Sequence, residues 1–216
     1  LAVFSVFSSG GPFMYVILCV SIVALAVFLE RAAFLYFRMN LNMDKALKKV
    51  LVPLERQNFR GAIDECSKIQ NHPLGSILKA GLLRADRKDQ EIERAMEERI
   101  IGEIPKVKAR INLLTLFANI ATLLGLLGTI LGLITAFQSV GSADETLKQE
   151  ILAKGISMAM LTTAGGLIVA IPCLGGYYLL NNRGEFLIDK IEEKALGLAN
   201  ALSAMKEKRL ADGASR

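Results

Sequence analysis

The chain has 216 residues, 52% hydrophobic and 22% charged, with 26 Lys and Arg against 21 Asp and Glu for a net charge of +5. The charges are too unevenly placed for a soluble globular chain: residues 1–29, 111–143 and 155–182 contain none, giving runs of 29, 33 and 28. Each run exceeds the roughly 20 apolar residues that cross a bilayer core of about 30 Å. This excludes a secreted disulfide scaffold, a disordered tail protein and an ordinary cytosolic enzyme, and it predicts an all-α membrane protein with three transmembrane helices.

In chain order, residues 1–12 form a short outer segment. Its first seven residues are apolar and suit the membrane interface, and Ser8-Ser9-Gly10-Gly11-Pro12 is a breaker cluster. The first span covers 13–36. It lacks a positive n-region and ends in Glu30-Arg31 rather than a small-residue cleavage site, so it reads as a retained span and not a signal peptide. Tyr36, Phe37 and Arg38 are its interfacial anchors. Residues 37–112 read as cytoplasmic helices. Asp44 caps one that carries Leu47, Val50, Leu51 and Leu54 on one face. A second covers about 59–69, Asn71-His72-Pro73 breaks it, and a third covers about 74–84.

From Asp89 the residues Ile92, Met96, Ile100, Ile104, Val107 and Ile111 recur at three- and four-residue steps. They predict an amphipathic helix that bends at Pro105 and runs straight into the second span. That span covers 113–140, a link covers 141–155, and the third span covers 156–180 with a kink at Pro172. The tail, 181–216, continues as a helix with Phe186, Leu187, Ile191, Leu196 and Leu198, fraying after about Lys208. The charged helices predict a solvated stalk. The alternative is that Arg84, Arg87, Lys88, Arg94 and Arg99 dock a regulator.

Charge placement also sets orientation. Residues 36–110 carry 16 Lys and Arg, and the chain from Asn181 carries 7, whereas residues 139–155 carry only Lys148 and Lys154 against Asp144, Glu145 and Glu150. By the bias against moving Lys and Arg across the membrane, 36–110 and the C-terminus are cytoplasmic, and the N-terminus and link lie outside. The positive charge is thus read through the membrane and not through nucleic acid. Cys19 and Cys173 fall within apolar runs, and Cys66 falls in the cytoplasmic segment, where thiols stay reduced. No Cys/His spacing suits a metal, no cofactor is expected, and the single histidine, His72, reads as a turn residue before Pro73. The phosphate-loop, Gly-x-Ser-x-Gly and His-Glu-x-x-His patterns are missing, so an enzyme is not expected.

The second span carries Ala118, Ala121, Gly125, Gly128 and Gly132 on one face, and the third carries Gly155, Ala159, Thr162, Gly166 and Ala170 in the same manner. Small-residue faces let helix backbones approach closely in lipid, so the plain reading packs span two on span three. Thr115, Thr122 and Thr129 are seven apart; seven steps drift by only about 20°, so the three share a face. Thr162 and Thr163 fall near mid-depth in the third span. These hydroxyls suit a polar pore or held water; alternatively each bonds its own i−4 carbonyl and is silent. Neither span contains Asp, Glu, Lys, Arg or His, the groups that usually mark ion pathways. A proton path here would need a carboxylate from a partner.

Several blocks resemble the MotA/TolQ/ExbB proton-channel family over nearly the whole chain. Ser9-Gly10-Gly11-Pro12-Phe13-Met14 leading to Leu29-Glu30-Arg31 looks like its first span, and Asn71-His72-Pro73-Leu74 resembles one of its turns. The strongest blocks are Leu124-Gly125-Leu126-Leu127-Gly128-Thr129-Ile130-Leu131-Gly132-Leu133, and Gly155-Ile156-Ser157 onward through Leu161-Thr162-Thr163-Ala164-Gly165-Gly166 to Pro172. Three spans with a large cytoplasmic part look like the ExbB/TolQ branch, since the flagellar branch is expected to have four.

The resemblance implies a bacterial inner-membrane motor subunit that assembles as a pentamer. Spans two and three would line a pore holding a dimer of a single-span ExbD/TolR-like partner with an intramembrane Asp. A TonB- or TolA-like protein would then be energised for a process such as outer-membrane transport. By motif position Thr129 and Thr163 take the role of pore threonines, with Thr162 a neighbour, and the small-residue faces become intersubunit packing. ExbB-type sequences often carry a Glu five residues before the pore Thr of span three; Met158 stands there, so no second acidic site carries over. The competing reading is a membrane scaffold that assembles a complex and conducts nothing. The missing acid argues against a self-sufficient channel.

Overall fold

The computed structural model describes residues 11–141 and 145–214. The expected interfacial segment 1–7, the breaker residues Ser8, Ser9 and Gly10, and Asp144 of the link lie outside the described residues. Among the described residues the structure is helical throughout, with no strand. The helices are α1 (Pro12–Ala33), α2 (Met43–Glu55), α3 (Phe59–Lys68), α4 (Pro73–Leu82), α5 (Asp89–Lys108), α6 (Asn112–Gly141) and α7 (Glu145–Ala214); a π-helical turn, Phe34–Arg38, follows α1. Three helical stretches are long and apolar enough to cross a membrane, containing α1, α6 and the first part of α7. The chain divides into two compact units. One takes the chain up to Ala32 with Arg110–Leu180; the other takes Ala33–Ala109 with the chain from Asn181.

In the first unit α6 and α7 are neighbours because only three residues separate Gly141 from Glu145. Within the expected link, residues 145–155 are helical and continue into the third apolar run. Helix α1 buries Met14, Ile17 and Ala24 on one face. It meets α7 at glycines: a Cβ at Gly165 would fall 2.7 Å from Met14 Sδ, and one at Gly176 2.8 Å from the Phe28 ring. Pro172 stands inside the continuous α7, where it offers no N–H to the Ile168 carbonyl.

The second unit is a packed bundle, with Arg84, Arg87, Lys88, Arg94 and Arg99 exposed on its surface. Val50, Leu54, Cys66, Leu74, Ile77, Leu78, Ile92 and Met96 are buried together with Leu187, Ile191, Leu198 and Leu202 of α7. The tail periodicity therefore holds in part, with Phe186 and Leu196 half or more exposed. The helix runs to Ala214, beyond the fraying point expected near Lys208. Lys194 ties α7 to α2: its Nζ reaches Asp44 at 2.5 Å and Glu193 at 2.6 Å. The Lys194 bond holds the Asp44 carboxyl below its ordinary range, and Lys190 together with Lys194 pulls Glu193 down to about 2. At the far end Asp89 takes Lys206 at 2.7 Å and also the Ser203 hydroxyl, which lowers it likewise.

Two local expectations are corrected. The cap of α2 is Asn42, whose extended backbone lets its Oδ1 accept from the Lys45 N–H at 3.1 Å; Asp44 lies in the first turn. The expected unbroken helix into span two stops at Lys108. Ala109 turns extended (ψ 139°) and Arg110 takes φ 60°, a left-handed conformation disfavoured for a side-chain-bearing residue. The Arg110 guanidinium is held by Glu30 at 2.7 Å.

Candidate functional site

The α6–α7 interface is built on small residues. A Cβ at Gly166 would fall 2.5 Å from the Ala121 carbonyl oxygen, and one at Gly125 would fall 3.2 Å from both the Thr162 carbonyl oxygen and Thr163 Cα. Gly132 lies against Ala159, Gly128 against the Thr162 side chain, and Gly155 against Ala136. Ala118 and Ala170 are buried as well. These faces are therefore occupied within one chain.

At the centre of this interface sit Thr129 and Thr163, both half-buried, with their hydroxyls bonded to each other. Thr129 Oγ1 also lies 3.1 Å from the Gly125 carbonyl and 3.3 Å from the Ala159 carbonyl, and Thr163 Oγ1 lies 3.1 Å from the same Gly125 oxygen. Each hydroxyl has one proton to donate and two lone pairs. Two protons thus have more acceptors than they can use at once, and the pair has more than one hydrogen-bonding arrangement at fixed heavy-atom positions.

The other expected pore residues are dispersed. Thr162 is buried, its methyl against Gly128 and its hydroxyl bonded to the Met158 carbonyl at 2.8 Å, so it packs the interface and lines no open surface. Thr122 is exposed and back-bonds the Ala118 carbonyl at 3.0 Å. Thr115 buries its hydroxyl, which has no hydrogen-bond partner among the described residues. The seven-residue row is thus geometrically one stripe, but only Thr129 meets a hydroxyl on the facing helix.

Sequence reasoning passed over two features. One is the Gly125 carbonyl as shared acceptor, which the four-residue spacing to Thr129 signals. The other is His72, a buried N-cap whose Nδ1 accepts from the Leu74 N–H at 3.2 Å. Burial pushes it below its ordinary value of 6.5, partly opposed by the Met39 backbone. In the same unit burial pushes the Cys66 thiol up to about 11, so it is inert. Among the described residues no cluster of His, Cys, Asp and Glu suits a metal.

The described residues thus give a membrane protein of long apolar helices with a hydroxyl pair between two of them. The family model described as the MotA/TolQ/ExbB proton channel family matches residues 69–193, a stretch that holds both Thr129 and Thr163. A protein of Methanothermobacter thermautotrophicus named as an ExbB homolog in biopolymer transport is 30% identical over 191 residues, 88% of this chain and 67% of that protein. An ExbB-like protein of Synechocystis sp. is 32% identical over 167 residues, covering 77% and 79% of the two chains. The biopolymer transport protein exbB1 of Vibrio cholerae is 43% identical over 82 residues, 38% of this chain and 36% of that one. In fold the chain is similar to a chain of the Campylobacter jejuni MotAB structure, with TM-score 0.61 and 19% identity over 94% of this chain and 81% of that one. The chain belongs to the MotA/TolQ/ExbB proton channel family.

Proposed function

We propose that this chain is the ring-forming subunit of a proton-driven motor in the bacterial inner membrane. Five copies place α6 and α7 around a central pore occupied by a dimer of a single-span, ExbD/TolR-like partner with an intramembrane Asp. The N-terminus faces the periplasm and the C-terminus the cytoplasm. Spans lie near 13–36, 113–140 and 156–180, with Pro172 as a bend in the last. The load is a TonB- or TolA-like protein and an envelope process such as outer-membrane transport.

The observation that carries this reading is the Thr129–Thr163 hydroxyl pair over the Gly125 carbonyl, in helices whose charge-free runs contain no Asp, Glu, Lys, Arg or His. Hydroxyls can pass or orient a proton but cannot hold it at neutral pH, so the titrating acid comes from the partner. Protonation of that Asp removes its charge, the hydroxyl pair shifts between its hydrogen-bonding arrangements, and the partner turns relative to the ring. One charge crossing about 100 mV supplies about 2.3 kcal/mol, enough for a modest step. Thr122 and Thr115 continue the polar row on the α6 face. Because the small faces are already used, neighbouring subunits meet through exposed large side chains such as Leu123, Leu126, Ile130 and Phe137.

One observation favours the scaffold alternative: both hydroxyls already have partners inside the chain. Proton flux into liposomes holding the chain with its single-span partner separates the two readings. Thr129→Val and Thr163→Val should each cut flux by about tenfold or more, an effect of about 1.4 kcal/mol on the rate-limiting barrier. Thr163→Ser should retain it. Unchanged flux in both valine variants would leave the hydroxyls as packing and favour the scaffold.

A further inference from the structure

The five cations singled out in the sequence separate in the structure. Arg84 and Arg99 line an open groove of about 730 Å³ along α4 and α5, which Arg94 does not line. Lys79 and Lys106 line it too, against the carboxylates of Glu98 and Glu103. Lys106 is paired with Glu103 at 2.7 Å, and Lys79 donates to Ser67 Oγ at 3.3 Å. The side chains of Arg84 and Arg99 are exposed and make no ion pair or hydrogen bond among the described residues. The groove thus presents two uncommitted guanidinium groups, the side chain best suited to gripping a carboxylate with two parallel bonds.

The groove is also partly apolar. Leu83 at its lip is 66% exposed. On α5 the floor includes Gly102, where a Cβ would meet nothing within 4 Å. A glycine within a helix is unfavourable relative to alanine, and among the described residues no side chain uses the space it leaves.

We propose that this groove docks an acidic amphipathic helix of a partner protein, with an apolar side chain over Gly102 against Leu83 and carboxylates on Arg84 and Arg99. A dense polyanion fits less well, because it would leave the apolar Leu83 uncovered. A peptide helix satisfies both the cations and the apolar lip.

The test is fluorescence anisotropy of the full-length chain in nanodiscs. The probe is a labelled helical peptide with Leu at i and i+4 flanked by Glu; its control is the same peptide with Lys for Glu. The acidic probe should bind, more weakly as salt rises, and the lysine probe should not. Arg84→Glu with Arg99→Glu should weaken binding about tenfold, while Arg94→Glu leaves it unchanged. Gly102→Leu should abolish binding while raising the melting temperature, which separates a filled groove from a misfolded chain. Failure of the acidic probe to bind, equal loss with Arg94→Glu, or displacement by tripolyphosphate would each overturn the proposal. So would self-association of the chain that the Arg84/Arg99 pair of substitutions removes, since the occupant would then be a second copy.

Discussion

Thr129 and Thr162 show one residue type in two settings. Thr162 is 2% exposed, packs against a glycine and spends its hydroxyl on its own helix, whereas Thr129 reaches a hydroxyl on the facing helix. The difference comes from the one-residue offset between Thr162 and Thr163, about 100° around α7. His72 is a titratable residue of the second unit whose capping role depends on its charge state. Its Nδ1 accepts the Leu74 N–H only while unprotonated. Burial puts its folded value below 6.5, so between those two values the unfolded chain binds a proton that the folded chain does not. The stability His72 contributes is therefore complete above about pH 6.5 and is lost as pH falls through that window. Asparagine keeps the capping acceptor without titrating. Thermal unfolding of His72→Asn between about pH 7 and pH 5 should show a shallower acid decline than the parent. An identical decline would remove His72 as its source.

At the scale of the element, two glycines make opposite forecasts. Gly166→Ala drives a Cβ to 2.5 Å from the Ala121 carbonyl oxygen and forces α6 and α7 apart, so it should destabilise the chain by roughly 2 kcal/mol. Gly102→Ala enters open space on a helix and should stabilise it by about 1 kcal/mol. Thermal unfolding in detergent measures both, and destabilisation by Gly102→Ala would contradict the open position of that face. The apolar helices and the small-residue faces were legible in the sequence because a membrane span leaves a long charge-free run and close packing needs glycine or alanine. The halt of α5 was not legible. Ala109-Arg110-Ile111 has no Gly, Pro or capping residue, and the turn rests on a left-handed arginine bonded to a glutamate eighty residues earlier in sequence. The bundle in the second unit was hidden for a related reason: its helices bury narrow stripes under many charges, and part of its core, including Leu187, Ile191, Leu198 and Leu202, comes from the distant tail.

For the whole molecule, the account joins two facts: a hydroxyl pair that can rearrange, and charge-free runs that hold no acid. In the proposed motor neither conducts alone, and a partner brings the carboxylate into the membrane. The small-residue stripes pack within the chain and leave large apolar side chains such as Leu123, Ile130 and Phe137 exposed. The most direct test is native mass spectrometry of the chain purified in detergent after co-expression with the membrane protein encoded beside it. The account predicts five copies of this chain holding two copies of a one-span, Asp-bearing protein. A ring or smaller oligomer with no such partner would contradict it and leave the threonine pair as ordinary helix packing.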